Sequence, residues 1–198
     1  MENCDIDKLW ERAYHHQSIL REEIAEVRRR VRAFREDPSS QDYSDLQKLL
    51  EILGYTNGGD ESITLLEEFL YYPAAPEVAS TAIDALCNGF SQGLTKKYLD
   101  VLIAYLNGMD WDPTGECKFN AIWLLGHYAK DTHDKKSIAA LLACVENPDE
   151  KNWDRELAYE FLQQIFTPNF QTRREKVPVS SFDPELLAHA HSCLIDLL

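Results

Sequence analysis

The stretch Cys117-Lys118-Phe119-Asn120-Ala121-Ile122-Trp123-Leu124-Leu125-Gly126 decides how the rest of this 198-residue chain is read. Residues 117, 121, 122, 124 and 125 are apolar at the spacing of an amphipathic helix, with Phe119 and Trp123 apolar besides. Two other stretches superimpose on it without gaps. They are Val78-Ala79-Ser80-Thr81-Ala82-Ile83-Asp84-Ala85-Leu86-Cys87 and Asp154-Arg155-Glu156-Leu157-Ala158-Tyr159-Glu160-Phe161-Leu162-Gln163. The anchoring alanines Ala82, Ala121 and Ala158 stand 39 and 37 positions apart, and Leu46 begins a degenerate copy 36 positions before Ala82.

A second register runs between these helices. Ile63 to Pro73, Tyr98 to Gly108 and Ile138 to Pro148 each end an apolar helical stretch on a breaker, with Leu66, Leu102 and Leu142 on the buried faces. Two amphipathic helices per period of 36 to 40 residues is the pattern of a helical solenoid, in which stacked pairs bury what one pair cannot. The spacing predicts helices near 42–55, 61–72, 77–90, 95–107, 115–130, 135–146, 152–166 and 184–197. Turns are expected at Asn57-Gly58-Gly59 and Pro38-Ser39-Ser40, and a long exposed loop over 168–182. The alanines admit close helix approach, and Leu86, Leu125 and Leu162 fill the layer one turn later.

The Cys117–Gly126 stretch resembles the second-helix signature of HEAT-like repeats of the bilin-lyase type: a small apolar residue, Arg or Lys, two variable positions, Ala-Ala, a variable position, then Ala-Leu-Gly. Arg155 keeps the basic position in the third copy and Ala79 loses it in the first, while Cys87 and Gln163 replace the terminal glycine. The resemblance covers roughly residues 41–170. It implies an all-α fold, a right-handed α-solenoid of three to four helix pairs. Such repeats serve scaffolds, inhibitors, lyases and DNA glycosylases, so fold does not select function.

From Ile6 to Phe34 there is neither Pro nor Gly, and the apolar spacing suits one long amphipathic helix, broken near His15-His16. Glu22, Glu23 and Glu26 precede Arg28, Arg29, Arg30 and Arg32, which favours pairing within the helix over a nucleic-acid contact. The organisation expected is a single domain over 1–198: an N-terminal helical cap (1–36), repeats (41–170), then a loop and C-terminal helix (171–198).

Composition bounds the function. The net charge is −14, and residues 37–170 hold 22 acidic against nine basic side chains, whereas residues 1–36 balance at eight each. Such a segment repels nucleic acid and anionic membranes and attracts basic proteins; the same acidity also serves plain solubility. The five scattered cysteines, without a CxxC pair, suit reduced thiols and a cytoplasmic setting, with Cys87 and Cys144 as packing residues. The acidic N-terminus lacks the apolar core of a signal peptide.

Known chemical signatures are missing. No HExxH joins the six histidines to carboxylates, and no nucleophile elbow or phosphate loop occurs, so neither metal, cofactor nor catalytic residue is expected. What remains is the repeat register. In a solenoid the second helices line the concave face, and their outward positions form the rows Asp84, Trp123, Glu160; Asn88, His127, Gln164; and Thr81, Asn120, Leu157. Trp123 in a polar row suits a partner-binding anchor, or else packs on a neighbouring helix. The loop Asn107–Glu116 adds Asp110, Trp111 and Asp112, with Trp111 either an exposed contact or a hydrophobic plug.

The reading that follows is a protein-binding or inhibitory module, of the kind of small bacterial immunity proteins, that occludes a basic toxin or effector. The alternatives are a HEAT-like DNA glycosylase using Trp111, Trp123 and Asp84, a bilin-lyase-type enzyme, or a generic scaffold. The glycosylase needs cations for phosphates, and the rows offer acids and amides.

Overall fold

The computed structural model describes residues 5–36, 42–56, 59–89, 93–167 and 177–195. Among these every regular element is helical, and no helix is long and apolar enough to cross a membrane. The chain divides into two compact units, residues 1–96 and 97–198.

In the first unit, α1 (Ile6–Tyr14) starts on the Asp5 carboxylate, which accepts from the Lys8 amide at 3.4 Å. The break expected near His15-His16 in the N-terminal helix falls at His16, whose φ is +53°. Helix α2 (Arg21–Glu36) follows and buries Val27, Val31 and Phe34, one stripe at helical spacing. Helix α3 (Tyr43–Tyr55) opens on an Asp42 cap and is packed by α1 and α2. It buries Leu46, Leu49, Leu50, Ile52 and Leu53, each worth roughly 2 kcal/mol of apolar burial. Helix α4 (Asp60–Glu67) is shorter than the predicted 61–72, because its continuation tightens into turns at Phe69 and Leu70.

Helix α5 (Pro76–Asp84) begins with proline, whose missing N–H costs nothing in a first turn. It does not continue to 90 as an α-helix. Residues Ala85–Gly89 form a wider π-turn. It lies where α5 approaches α3 closely: a Cβ on Gly54 would meet the Cβ of Ala85 at 2.8 Å, and one on Gly89 would meet the Gly54 backbone at 2.5 Å. Two glycines let the backbones touch.

The arginines of α2 are held by acids. Glu26 pairs with Arg29 at 2.7 Å and Arg30 at 3.0 Å, and the Arg29 hydrogen bond, chiefly, holds the Glu26 carboxyl down at about 2. The pairing is only partly within the helix, however. Glu23 reaches back to Arg12 of α1, while Arg28, Arg32 and Arg35 cross to Glu61 and Glu68.

The second unit is more regular. Helix α6 (Gly93–Lys97) marks the boundary, and a break at Tyr98 separates it from α7 (Leu99–Leu106), where the sequence suggested one helix over 95–107. Then come α8 (Glu116–Thr132), α9 (Lys135–Glu146) and α10 (Asn152–Phe166), each packed on its predecessor. The last two match their predicted spans. Helix α8 also packs on α10, and α7 on α9. Helix α11 (Pro184–Leu194) starts on an Asp183 cap and lies against α9 and α10.

The repeat positions are core positions in both units. Ala82, Ala121 and Ala158, and Leu86, Leu125 and Leu162, have no exposed surface. Leu46, Leu66, Leu102 and Leu142 are also buried, as expected. The basic positions of the pattern are structural: Lys118 forms a bidentate pair with Glu150 at 2.8 and 2.7 Å. The Arg155 guanidinium donates to the Val145 carbonyl near the end of α9 at 2.8 Å. Gly126 has its own reason. A Cβ there would fall 2.2 Å from the Phe161 ring, so its absence lets that ring lie against α8.

Cys87, Cys117 and Cys144 are buried and Cys193 half-buried, all as free thiols. Burial pushes Cys87 and Cys144 up to about 12, so both are packing residues rather than nucleophiles. Asn57, Gly58, the Pro38-Ser39-Ser40 segment, residues 168–176 of the expected loop, and 196–197 of the expected last helix lie outside the described residues. Gly59, the last residue of the expected turn, has φ +75° and precedes α4.

Candidate functional site

The second unit carries an aromatic stripe on α8. Phe119, Trp123 and His127 recur every four residues and therefore share a face. Phe119 is 40% and Trp123 38% exposed, large apolar areas left in solvent. The Trp123 ring lies 4.1 Å from His127, and His127 meets Phe161 of α10 at 5.2 Å and 69°. Desolvation, and then the charge of Lys130, lower the His127 pKa, with Asp131 opposing. A neutral imidazole can sit between two rings without burying a charge.

Gly126 makes this stack possible, because the ring that supports His127 occupies the space its Cβ would take. Glu160 and Gln164, one turn apart on α10, are half-buried, as is Asn120 on α8. The structure thus assembles Trp123, His127 and Phe161. The periodicity marked the first two; Phe161 was legible only as core. Phe119 was missed, although its four-residue spacing from Trp123 is a usable signal. Trp153, at the start of α10, is a further aromatic 53% exposed.

The loop before α8 is a structural device. Asp112 is buried, and its carboxylate gathers the start of the helix. Oδ1 accepts from the amides of Gly115 and Glu116, both at 3.0 Å, and Oδ2 from those of Cys117 at 2.9 Å and Lys118 at 3.4 Å. These are the donors a helix leaves without internal partners, and the negative charge complements the dipole. With both oxygens so engaged, Asp112 acts inside the loop. Trp111 folds back edge-on to Tyr105 of α7, with ring centroids 6.0 Å apart, the plug arrangement. Asp110 remains exposed.

Asp84 and Asn88 belong to the first unit, and the π-turn sets their geometry. The Asn88 amide donates to Asp84 Oδ1 at 2.6 Å. Asp84 has company that the register did not reveal. Glu51 of α3 lies close enough to repel it, and burial, the larger cause, with that repulsion raises the Asp84 pKa against the Asn88 hydrogen bond. The indole N–H of Trp10 donates to Glu51 Oε2. Trp10 stacks on Tyr14 at 5.3 Å and 18°, and Tyr14 stands edge-on to Tyr55 at 5.9 Å. A pocket of about 290 Å³ shares the Tyr55 wall and is lined further by Ala13, Ile19 and Ile24 and by the polar His16, Gln17, Ser18 and Thr56. Trp10 and Glu51 are 41 residues apart, so no local pattern announced the cluster.

Among the described residues no group of three His, Cys, Asp or Glu side chains is placed to hold a metal ion. No family model, curated protein or solved structure matches this chain.

Proposed function

We propose that the chain is a protein-binding module, a right-handed α-solenoid of three to four HEAT-like helix pairs with an N-terminal helical cap. In this reading it works as an immunity-type inhibitor that occludes a basic toxin or effector in the cytoplasm. The exposed aromatic stripe of α8 carries the reading: Phe119 and Trp123 offer solvent a large apolar area. Exposed rings on a rigid helix are the anchors from which interfaces draw most of their energy. The surrounding charge selects the partner. At net −14 the chain attracts cationic surfaces and raises their rate of encounter.

The repeat reading is supported by the burial of every anchoring alanine and leucine and by the structural roles of Lys118 and Arg155. A glycosylase is disfavoured by one observation. Trp111, which that chemistry would use to hold a base, packs on Tyr105.

The test is affinity capture from the native host with wild-type protein and with a Phe119→Ala/Trp123→Ala variant. One basic protein, retained at low salt, released at high salt and lost with the variant, is the expected outcome. Retention of nucleic acid or a chromophore, or equal retention by the variant, would overturn the reading.

A further inference from the structure

The cluster in the first unit has features that packing does not explain. Glu51 and Asp84 are half-buried carboxylates close enough to repel each other. Neither has a cationic partner among the described residues. The cations nearest in the helices are already committed: Lys48 bonds Asp7 at 2.5 Å, and Arg12 holds Glu23 at 2.7 Å and the Ser18 carbonyl at 2.6 Å. Two like charges drawn partly out of water, each met by a neutral donor and no cation, leave a site that a cation would complete. The aromatic members add a second anomaly. Tyr14 is 51% exposed although its ring organises both Trp10 and Tyr55.

We infer that Trp10, Tyr14, Tyr55, Glu51 and Asp84 form a seat for an arginine side chain of a protein partner. A guanidinium is flat and weakly hydrated, and it lies on aromatic faces while its N–H fork donates to carboxylates. Its positive charge would supply what Glu51 and Asp84 lack. A phosphate or sulfate would meet two negative charges, and an apolar side chain would leave both carboxylates uncompensated. Asn88, from the π-turn, orients Asp84 by its hydrogen bond, and Glu51 is oriented by the Trp10 indole. The neighbouring pocket beside Tyr55, where Ile19 and Ile24 meet His16, Gln17, Ser18 and Thr56, has room for a residue flanking the arginine.

This seat shares the basic partner of the function proposed above but uses other residues, so the two can fail separately. The probe is a fluorescein-labelled peptide, Leu-Arg-Leu within a Gly-Ser frame, followed by anisotropy at low salt against its Leu-Lys-Leu counterpart. The arginine peptide should bind more tightly. Glu51→Gln with Asp84→Asn should weaken it about tenfold or more, as expected for losing charge-assisted hydrogen bonds. Tyr14→Ala should weaken it about threefold, the size of one exposed cation–π contact, and Tyr14→Phe should leave it unchanged. An Asp100→Asn/Asp149→Asn variant removes the same charge from exposed sites and should change affinity less than about twofold, the size of a screened surface charge. Equal losses in the two charge variants, or loss through Trp123→Ala, would overturn the seat. The last result would leave the α8 reading standing. Circular dichroism shows whether each variant is folded, and Asp84→Asn, nearly the same in shape, keeps the test open if Tyr14→Ala unfolds.

Discussion

Each unit carries a carboxylate withdrawn from water, and the two are treated in opposite ways. Asp112 in the second unit sits at the start of α8 and accepts from four backbone amides. Asp84 in the first faces Glu51 and receives one hydrogen bond, from Asn88. The first arrangement builds structure, because a buried charge stabilises a fold when donors surround it. The second weakens the fold, and a weakness kept in a core is where binding chemistry is expected. The surroundings follow the same division. Around Asp112 the helices are regular and fall where periodicity puts them, whereas around Asp84 a helix widens into a π-turn and aromatic rings crowd the surface.

The contrast can be broken or sharpened by substitution. The largest effect is expected in the regular unit, at Gly126→Ala, where a new Cβ would fall inside van der Waals range of the Phe161 ring. Overpacking of this kind should cost about 3 kcal/mol and lower Tm by about 10 °C. Repeating the substitution in a Phe161→Ala background should cost almost nothing, and a full penalty there would show that the ring is not the cause.

Next comes Asp112→Ala. Four amides at the head of α8 would lose their acceptor, at a cost of about 2 kcal/mol in urea unfolding. The exposed cap Asp5→Ala, with one long bond to the Lys8 amide, should cost clearly less in the same measurement.

Asp84→Asn should have the opposite sign. The folded pKa of Asp84 is raised, so the native state binds its proton more tightly than the unfolded chain does. Native stability therefore falls as pH rises from 3.8 through that raised value, and stays lowered above it. The asparagine variant should melt higher at pH 7, with the gain fading as pH falls towards 4. A variant less stable than wild type at pH 7 would remove the contrast.

The smallest effect is chemical. With Cys87 and Cys144 pushed up to about 12 by burial, native protein at pH 8 should react with a thiol reagent at Cys193 well before either. Mass spectrometry of the labelled protein identifies the sites.

The same division marks what could be read from residues alone. In the second unit the repeat pattern placed α9 and α10, the buried alanines and leucines, and the outward positions of Trp123 and His127. Those features depend on spacing along one helix. The break at Tyr98 was not visible, since the apolar run passes through it unchanged. In the first unit the approach of the π-turn to α3 depends on Gly54 and Gly89 meeting across space, and the Arg28 and Arg32 pairs depend on a glutamate in another helix. Trp10 and Glu51 meet only once α1 has packed on α3. A gapless superposition of repeats also treats 84 and 88 as one α-helical turn. Across a π-turn that assumption fails, and Asn88 does not stand on its helix as His127 stands on α8.

The wide turn Ala85–Gly89 at the end of α5 holds one residue more per turn than the helix before it. Deleting one codon there would return the turn to α-helical winding and change the register at which Gly89 meets the Gly54 backbone. The approach of α5 to α3 at Gly54 and Gly89 is thus set by a step of one residue in the chain, three nucleotides in its coding sequence.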